Sequence, residues 1–196
     1  MAKMNIANKL TILRMCLIPV FIILMYLPAS HGDVTVLGSV IPVNQLLAAI
    51  VFIIASLTDF LDGYLARKLN LVTAFGEFFD PMADKLLVIA AFIVLVEQQR
   101  VPAWIVLIII SRELLVTGLR VLLARSNGKV MAAALPGKIK TFTQMFSIVF
   151  YLLNNIGFAL ISVDIAYILL ILCLIFTVYS GIEYFYQGRF VFSDSL

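Results

Sequence analysis

Residues 59–84 read DFLDGYLARKLNLVTAFGEFFDPMAD and set four aspartates, Asp59, Asp62, Asp80 and Asp84, inside an otherwise strongly apolar chain. Asp59, Asp62, Gly63, Ala66 and Arg67 stand at i, i+3, i+4, i+7 and i+8, the spacing of side chains that share one face of a helix. Gly76, Asp80 and Asp84 repeat at i, i+4 and i+8 and form a second line of the same kind. The pattern predicts two helices whose acidic faces can meet.

Outward from this stretch, composition sets the solvent. The 196-residue chain is 63% hydrophobic and 13% charged, with a mean hydropathy of +1.12, far outside the range of soluble globular proteins. Apolar runs of about 20 residues, the length that crosses roughly 30 Å of hydrocarbon, recur along nearly the whole sequence, and six fit. The expectation is therefore an all-α, polytopic membrane protein with six transmembrane helices. Residues 1–196 form a single domain, opened by a short N-terminal amphipathic arm.

The six helices are expected at about Asn8–Leu27, Pro42–Lys68, from a turn at Asn70–Thr73 to Val96, Pro102–Ala124, Lys138–Asn155 and Asp164–Tyr186. Asp80-Pro81 leaves the start of the third helix open, because proline is tolerated in a first turn but removes a bond from a helix interior. An even helix count puts both termini on one side. On that side fall all of the 14 lysines and arginines except Arg100, so the positive-inside bias makes it cytoplasmic. The start of the chain runs into the first apolar stretch without a small-residue cleavage site, which reads as a retained segment and suits a bacterial inner membrane. Cys16 and Cys173 both lie in apolar runs and read as small core residues rather than a disulfide framework. His31, in a loop on the opposite side, reads as solvated; Trp104 and the tyrosines from Tyr179 to Tyr186 read as interfacial belt residues. No nucleic-acid partner is expected.

Each carboxylate in a spanning helix costs about 2.5–3.5 kcal/mol at mid-membrane and less near the interface, so four together need compensation. Arg67 and Lys85 are adjacent, but two cations do not balance four anions. Oxygen-only surroundings suit Mg²⁺, Mn²⁺ or Ca²⁺, and no histidine or cysteine lies nearby to suggest zinc. Two divalent ions would neutralise four acids, as in sites where paired metals clamp a phosphoryl group. Gly63, Ala66 and Gly76 keep the faces bare, so a phosphate or a neighbouring helix can approach the backbone closely.

Asp59-x2-Asp62-Gly63-x2-Ala66-Arg67-x8-Gly76-x3-Asp80-x3-Asp84 resembles the full signature of the CDP-alcohol phosphotransferase family, without departure in type or spacing. The resemblance implies six membrane helices, a homodimer, a cytoplasm-facing site, and transfer of a phosphatidyl group from CDP-diacylglycerol to an alcohol with loss of CMP. It implies two Mg²⁺ or Mn²⁺ ions held by Asp59, Asp62, Asp80 and Asp84, with Asp84 also the general base. It places the nucleotide against Asp62, Gly63, Ala66, Arg67 and Gly76. Asn5-Ile6-Ala7-Asn8-Lys9-Leu10-Thr11 is similar to the family's N-P-N-x-L-T opening, with Ala7 where proline is usual, which adds Asn8 and Thr11 to the nucleotide contacts. Asn8 reads equally well as a helix N-cap.

The acceptor is expected at a second basic cluster, Arg112, Arg120, Lys138 and Lys140. Ser111-Arg112-Glu113 and Gly137-Lys138-Ile139-Lys140-Thr141 resemble segments of those family members whose acceptor is sn-glycerol 3-phosphate. A dianionic phosphate accounts for several converging cations, with arginine offering bidentate contacts, and Glu113 beside Arg112 can offset or orient it. Lys138 and Lys140 read equally well as headgroup anchors at a helix end. Two rivals stand beside this reading: the same chemistry with phosphatidylglycerol, serine or inositol phosphate as acceptor, and an ion transporter. The transporter requires an acidic path through the later helices, which the sequence lacks.

Overall fold

The apolar runs form six α-helices in the computed structural model, which describes residues 6–28, 32–68, 74–125 and 135–189 and, within these, the side chains outside 6–7, 59–68, 74–81 and 124–125. In chain order they are α1 (Ile6–Tyr26), α2 (Val43–Lys68), α3 (Ala74–Glu97), α4 (Ala103–Arg125), α5 (Leu135–Leu152) and α6 (Ile165–Gln187). The boundaries lie close to the expected ones. The amphipathic arm before Ile6, His31 and the turn residues 70–73 lie outside the described residues.

One open point is settled and two local details differ from expectation. First, α3 begins at Ala74 and continues past Pro81, which settles that proline as a residue inside the helix rather than its start. Second, α5 starts at Leu135, with Pro136 in the first turn where its missing N–H costs nothing. That helix stops at Leu152 because Asn154 and Asn155 take φ of 50° and 54°, a left-handed conformation that asparagine tolerates better than most residues. Third, the fold is not wholly helical. Asp33–Val36 (β1) and Ser39–Pro42 (β2) pair antiparallel, with Val34 opposite Ile41 and Thr35 opposite Val40. Their β-branched run turns at Leu37 and Gly38, both at positive φ, as a two-residue hairpin loop requires.

The hairpin closes one end of the helix bundle. Ile41 is fully buried, and Asn154 gathers the surrounding polar groups. Its Nδ2 donates to the Val40 carbonyl at 2.6 Å, while its Oδ1 accepts from Gln45 Nε2 at 3.0 Å and from Arg100 Nη2. Ser39 Oγ donates to its backbone carbonyl at 3.0 Å. Arg100, the one cation expected opposite the acids, is thus bound into this end. Here too Asp164 caps α6. Its carboxylate accepts from Tyr167 N at 3.0 Å and from Asn155 Nδ2 at 2.9 Å, and Asn155 Oδ1 accepts from Ala166 N at 2.8 Å. Loss of such a cap costs about 1 kcal/mol. Asp164→Ala is expected to lower unfolding stability by about that much in a detergent titration, and Asp164→Asn to retain most of it.

Packing follows from small residues. α1 lies on α2 and α3, α2 on α3 and α5, α3 on α4 and α5, and α6 on α4 and α5. Ala48, Ala49, Ala55, Ala83 and Ala91 are wholly buried and let the helix backbones approach. Phe21, Phe52, Phe92, Leu87, Leu95, Ile105, Ile109, Ile148 and Leu152 fill the centre. The exterior is equally apolar: Leu107, Leu114, Leu115, Ile175 and Ile182 are all exposed, as is expected where the solvent is lipid. Trp104 is likewise exposed, in the first turn of α4. Among the described residues, Asn8–Tyr26 and Ile165–Gln187 are each long and apolar enough to cross a membrane, and Val43–Thr58 is a shorter apolar helix. Cys16 is exposed and Cys173 buried, and both are free thiols.

Candidate active site

α2 carries Asp59 and Asp62 in its last three turns, and α3 carries Asp80 and Asp84 in its first three. The two helices pack against each other, so the four acids belong to one end of one helix pair. The side chains of Asp59, Asp62, Gly63, Ala66, Arg67, Gly76 and Asp80 lie outside the described ones. Among the described residues no three potential metal ligands come together. The donor set itself fits hard divalent cations: four carboxylates on adjacent helix ends offer only oxygen, as Mg²⁺ and Mn²⁺ require.

Asp84 is described, and it lines a cavity of about 260 Å³ between α3, α4, α5 and α6. The walls carry Lys85 from α3, Arg112, Glu113 and Arg120 from α4, Lys140 from α5 and Tyr184 from α6. A narrower extension, about 50 Å³, shares Asp84, Lys85, Glu113 and Lys140 and runs in toward Phe92, Ile109, Gln144 and Met145. Four cationic and two anionic side chains face the larger cavity, a surplus of two positive charges. A pocket with such a surplus attracts a small dianion.

The cations are held individually. Glu113 Oε1 accepts from Arg112 Nη1 at 3.1 Å and from Lys140 Nζ, joining α4 to α5 through side chains that are mostly buried. Arg112 Nη2 donates to Ser180 Oγ at 2.8 Å. Arg120 Nη2 donates to Tyr184 Oη at 2.5 Å, and the Tyr184 ring lies 5.7 Å from the Arg112 guanidinium carbon and 5.0 Å from that of Arg120. Lys85 Nζ donates to Thr117 Oγ1, whose hydroxyl in turn donates to the Glu113 carbonyl at 2.6 Å.

Three of the four residues expected at an anion site, Arg112, Arg120 and Lys140, therefore share one cavity with Asp84. Lys138 does not join them. It is exposed while Lys140 is buried, because residues two apart on a helix point to different faces. Asn8 is half-buried and Thr11 wholly buried on α1; neither lines this cavity. With α1 starting at Ile6, Asn8 lies inside the first turn, so the N-cap reading is set aside. Arg14, one turn beyond Thr11, is also fully buried.

The model of the CDP-alcohol phosphatidyltransferase family matches residues 4–179, which takes in all four aspartates and the cavity residues up to α6. The chain belongs to this family. It is similar, at 53% identity over 92% of its own length and 93% of the relative's, to the CDP-diacylglycerol–glycerol-3-phosphate 3-phosphatidyltransferase of Bacillus subtilis (strain 168). The proteins of the same name in Rickettsia typhi and Haemophilus influenzae are 42% and 37% identical to it. They cover 92% and 99% of this chain, with 95% and 98% of their own lengths matched.

For a CDP-alcohol phosphatidyltransferase, the cavity holds two residues that sequence reasoning left out of the basic cluster. Tyr184 was expected in an interfacial belt, yet only 4% of it is exposed, whereas Tyr179 and Tyr186 on the same helix are 60% and 66% exposed. Lys85, expected beside the acids, shares the cavity with Asp84 and also donates to Thr117 across it. The available signal for Tyr184 was Ser180-Gly181, a polar and small pair one turn before it in a mostly apolar helix.

Proposed function

We propose that this chain transfers the phosphatidyl group of CDP-diacylglycerol to sn-glycerol 3-phosphate, yielding phosphatidylglycerophosphate and CMP. One observation carries the acceptor: the cavity beside Asp84 has two more positive than negative side chains, matching the two charges of a phosphate monoester. Arg112, Arg120 and Lys140 bind that phosphate. The acceptor's 1-hydroxyl then lies toward Asp84, whose carboxylate takes its proton as the oxygen attacks the β-phosphorus of the donor. The bond from that phosphorus to the bridging oxygen breaks, and CMP leaves with the electron pair. Asp59, Asp62 and Asp80, with Asp84, would hold two Mg²⁺ or Mn²⁺ ions, which when bound supply charge stabilisation to the pyrophosphate. Asn8, Thr11, Asp62, Gly63, Ala66, Arg67 and Gly76 surround the nucleotide.

In this reading all six helices cross the bilayer, with both termini and the acids on the cytoplasmic side, and the chain forms a homodimer. The apolar exterior of α4 supports spanning by a helix that also carries Arg112, Glu113 and Arg120, because all three line the cavity shared with α3, α5 and α6. Between α1 and α3 an apolar groove of about 430 Å³ is lined by Met15, Ile18, Pro19, Leu86, Ile89 and Ile93. Its upper residues on α3 lie within two turns of Asp84, which supports entry of the donor sideways from lipid.

A CMP-release assay with purified protein, CDP-diacylglycerol and a panel of acceptors tests this. Glycerol 3-phosphate is expected to support release that chelation of divalent ions abolishes and Mg²⁺ or Mn²⁺ restores. Equal or faster release with serine would remove the case for the basic cavity. Ion flux without CMP release would favour a transporter.

A further inference from the structure

A guanidinium lying between packed helices needs hydrogen-bond acceptors, and its usual partner, a carboxylate, cancels its charge. The two arginines of this cavity are partnered differently on their α6 side. Ser180 Oγ accepts from Arg112 and Tyr184 Oη from Arg120. The Tyr184 ring presents its face to both guanidinium groups, an attractive contact that leaves the charge uncancelled. A Cβ added at Gly181 would stand 3.2 Å from Arg112 Cγ, so the absence of a side chain there lets Arg112 lie against α6. Ser180 and Tyr184 are one turn apart on the same helix face and are buried, although the helix around them exposes Tyr179, Ile182 and Tyr186.

We propose that Tyr184, with Ser180 on the same face, is a positioning residue for acceptor recognition. It aims Arg120 and Arg112 into the cavity through neutral contacts that add no counter-charge beyond the Glu113 carboxylate already paired with Arg112, so that positive charge stays available to the acceptor's phosphate. This rests on the reading of the cavity as the glycerol 3-phosphate site. It also explains why a tyrosine sits buried on a helix whose other tyrosines face outward.

The test uses initial rates of the full-length protein in lipid nanodiscs, with thermal midpoints measured in parallel to confirm folding. Tyr184→Phe keeps the ring and removes the acceptor for Arg120, and is expected to raise KM for glycerol 3-phosphate about tenfold. The fall in kcat should be much smaller, and KM for CDP-diacylglycerol should not follow. Ser180→Ala should shift acceptor KM in the same direction through Arg112. Tyr184→Phe combined with Arg120→Gln should be no worse than Arg120→Gln alone, since both remove one coupled unit. Additive losses, an unmoved acceptor KM in Tyr184→Phe, or parallel rises in both KM values would overturn the positioning role while leaving the acceptor site intact. An Arg120→Gln protein with unchanged acceptor KM would instead remove the acceptor-site reading, and the role of Tyr184 with it.

Discussion

Asp84→Asn is expected to lower CMP release by about three orders of magnitude or more, the largest single effect in the protein. General-base catalysis contributes roughly 10²–10⁴ in rate, and an amide of the same shape can neither take the acceptor's proton nor carry a negative charge to a cation. Asp84 lines the cavity where the acceptor phosphate is proposed to bind, and it stands one helical turn beyond Asp80 on α3. The other three acids remain in the variant, so donor binding should survive in part. Single-turnover measurement with radiolabelled CDP-diacylglycerol separates the two effects. A variant that binds donor but fails to release CMP supports the assignment, and full activity refutes it.

Arg112→Gln is expected to raise KM for glycerol 3-phosphate about a hundredfold. Hydrogen bonds to charged groups contribute about 1.5–3 kcal/mol each, and the planar fork of arginine makes more than one to a phosphate. The substitution also leaves Glu113 with one cationic partner rather than two, so the carboxylate's repulsion of the incoming phosphate rises. Arg112→Lys retains the charge without the fork, and should recover only part of the loss. Rates measured with glycerol 3-phosphate and with glycerol as acceptors decide the matter. If both acceptors suffer alike, Arg112 supports the fold rather than recognising the phosphate.

These two expectations draw on different parts of the chain, and they were not equally legible. The acids are read from spacing alone, because i, i+3 and i+4 relations survive in any helix. The basic residues are harder. Lys138 and Lys140 look equivalent as letters, and only the rotation of α5 about its axis turns one inward and the other out. Tyr184 is a sharper case. A tyrosine near a helix end fits an interfacial belt, and only the packing of α6 against α4 shows that this one faces two arginines.

What the sequence by itself determined is therefore local: six helices, nearly at their observed bounds, and two pairs of aspartates on the facing ends of the second and third. The family follows from that spacing. What only the tertiary structure decided is which face of each helix looks inward, and hence that Glu113 bridges Arg112 to Lys140, that Tyr184 is buried, and that a hairpin anchored on Asn154 closes the far end. The physical reason is the solvent. In water an apolar stripe marks the inner face of a helix, but lipid is as apolar as a protein core, so hydropathy is silent about rotation. The hairpin's place at the bundle end was equally hidden, because it is anchored by bonds to Asn154, more than a hundred residues away in sequence.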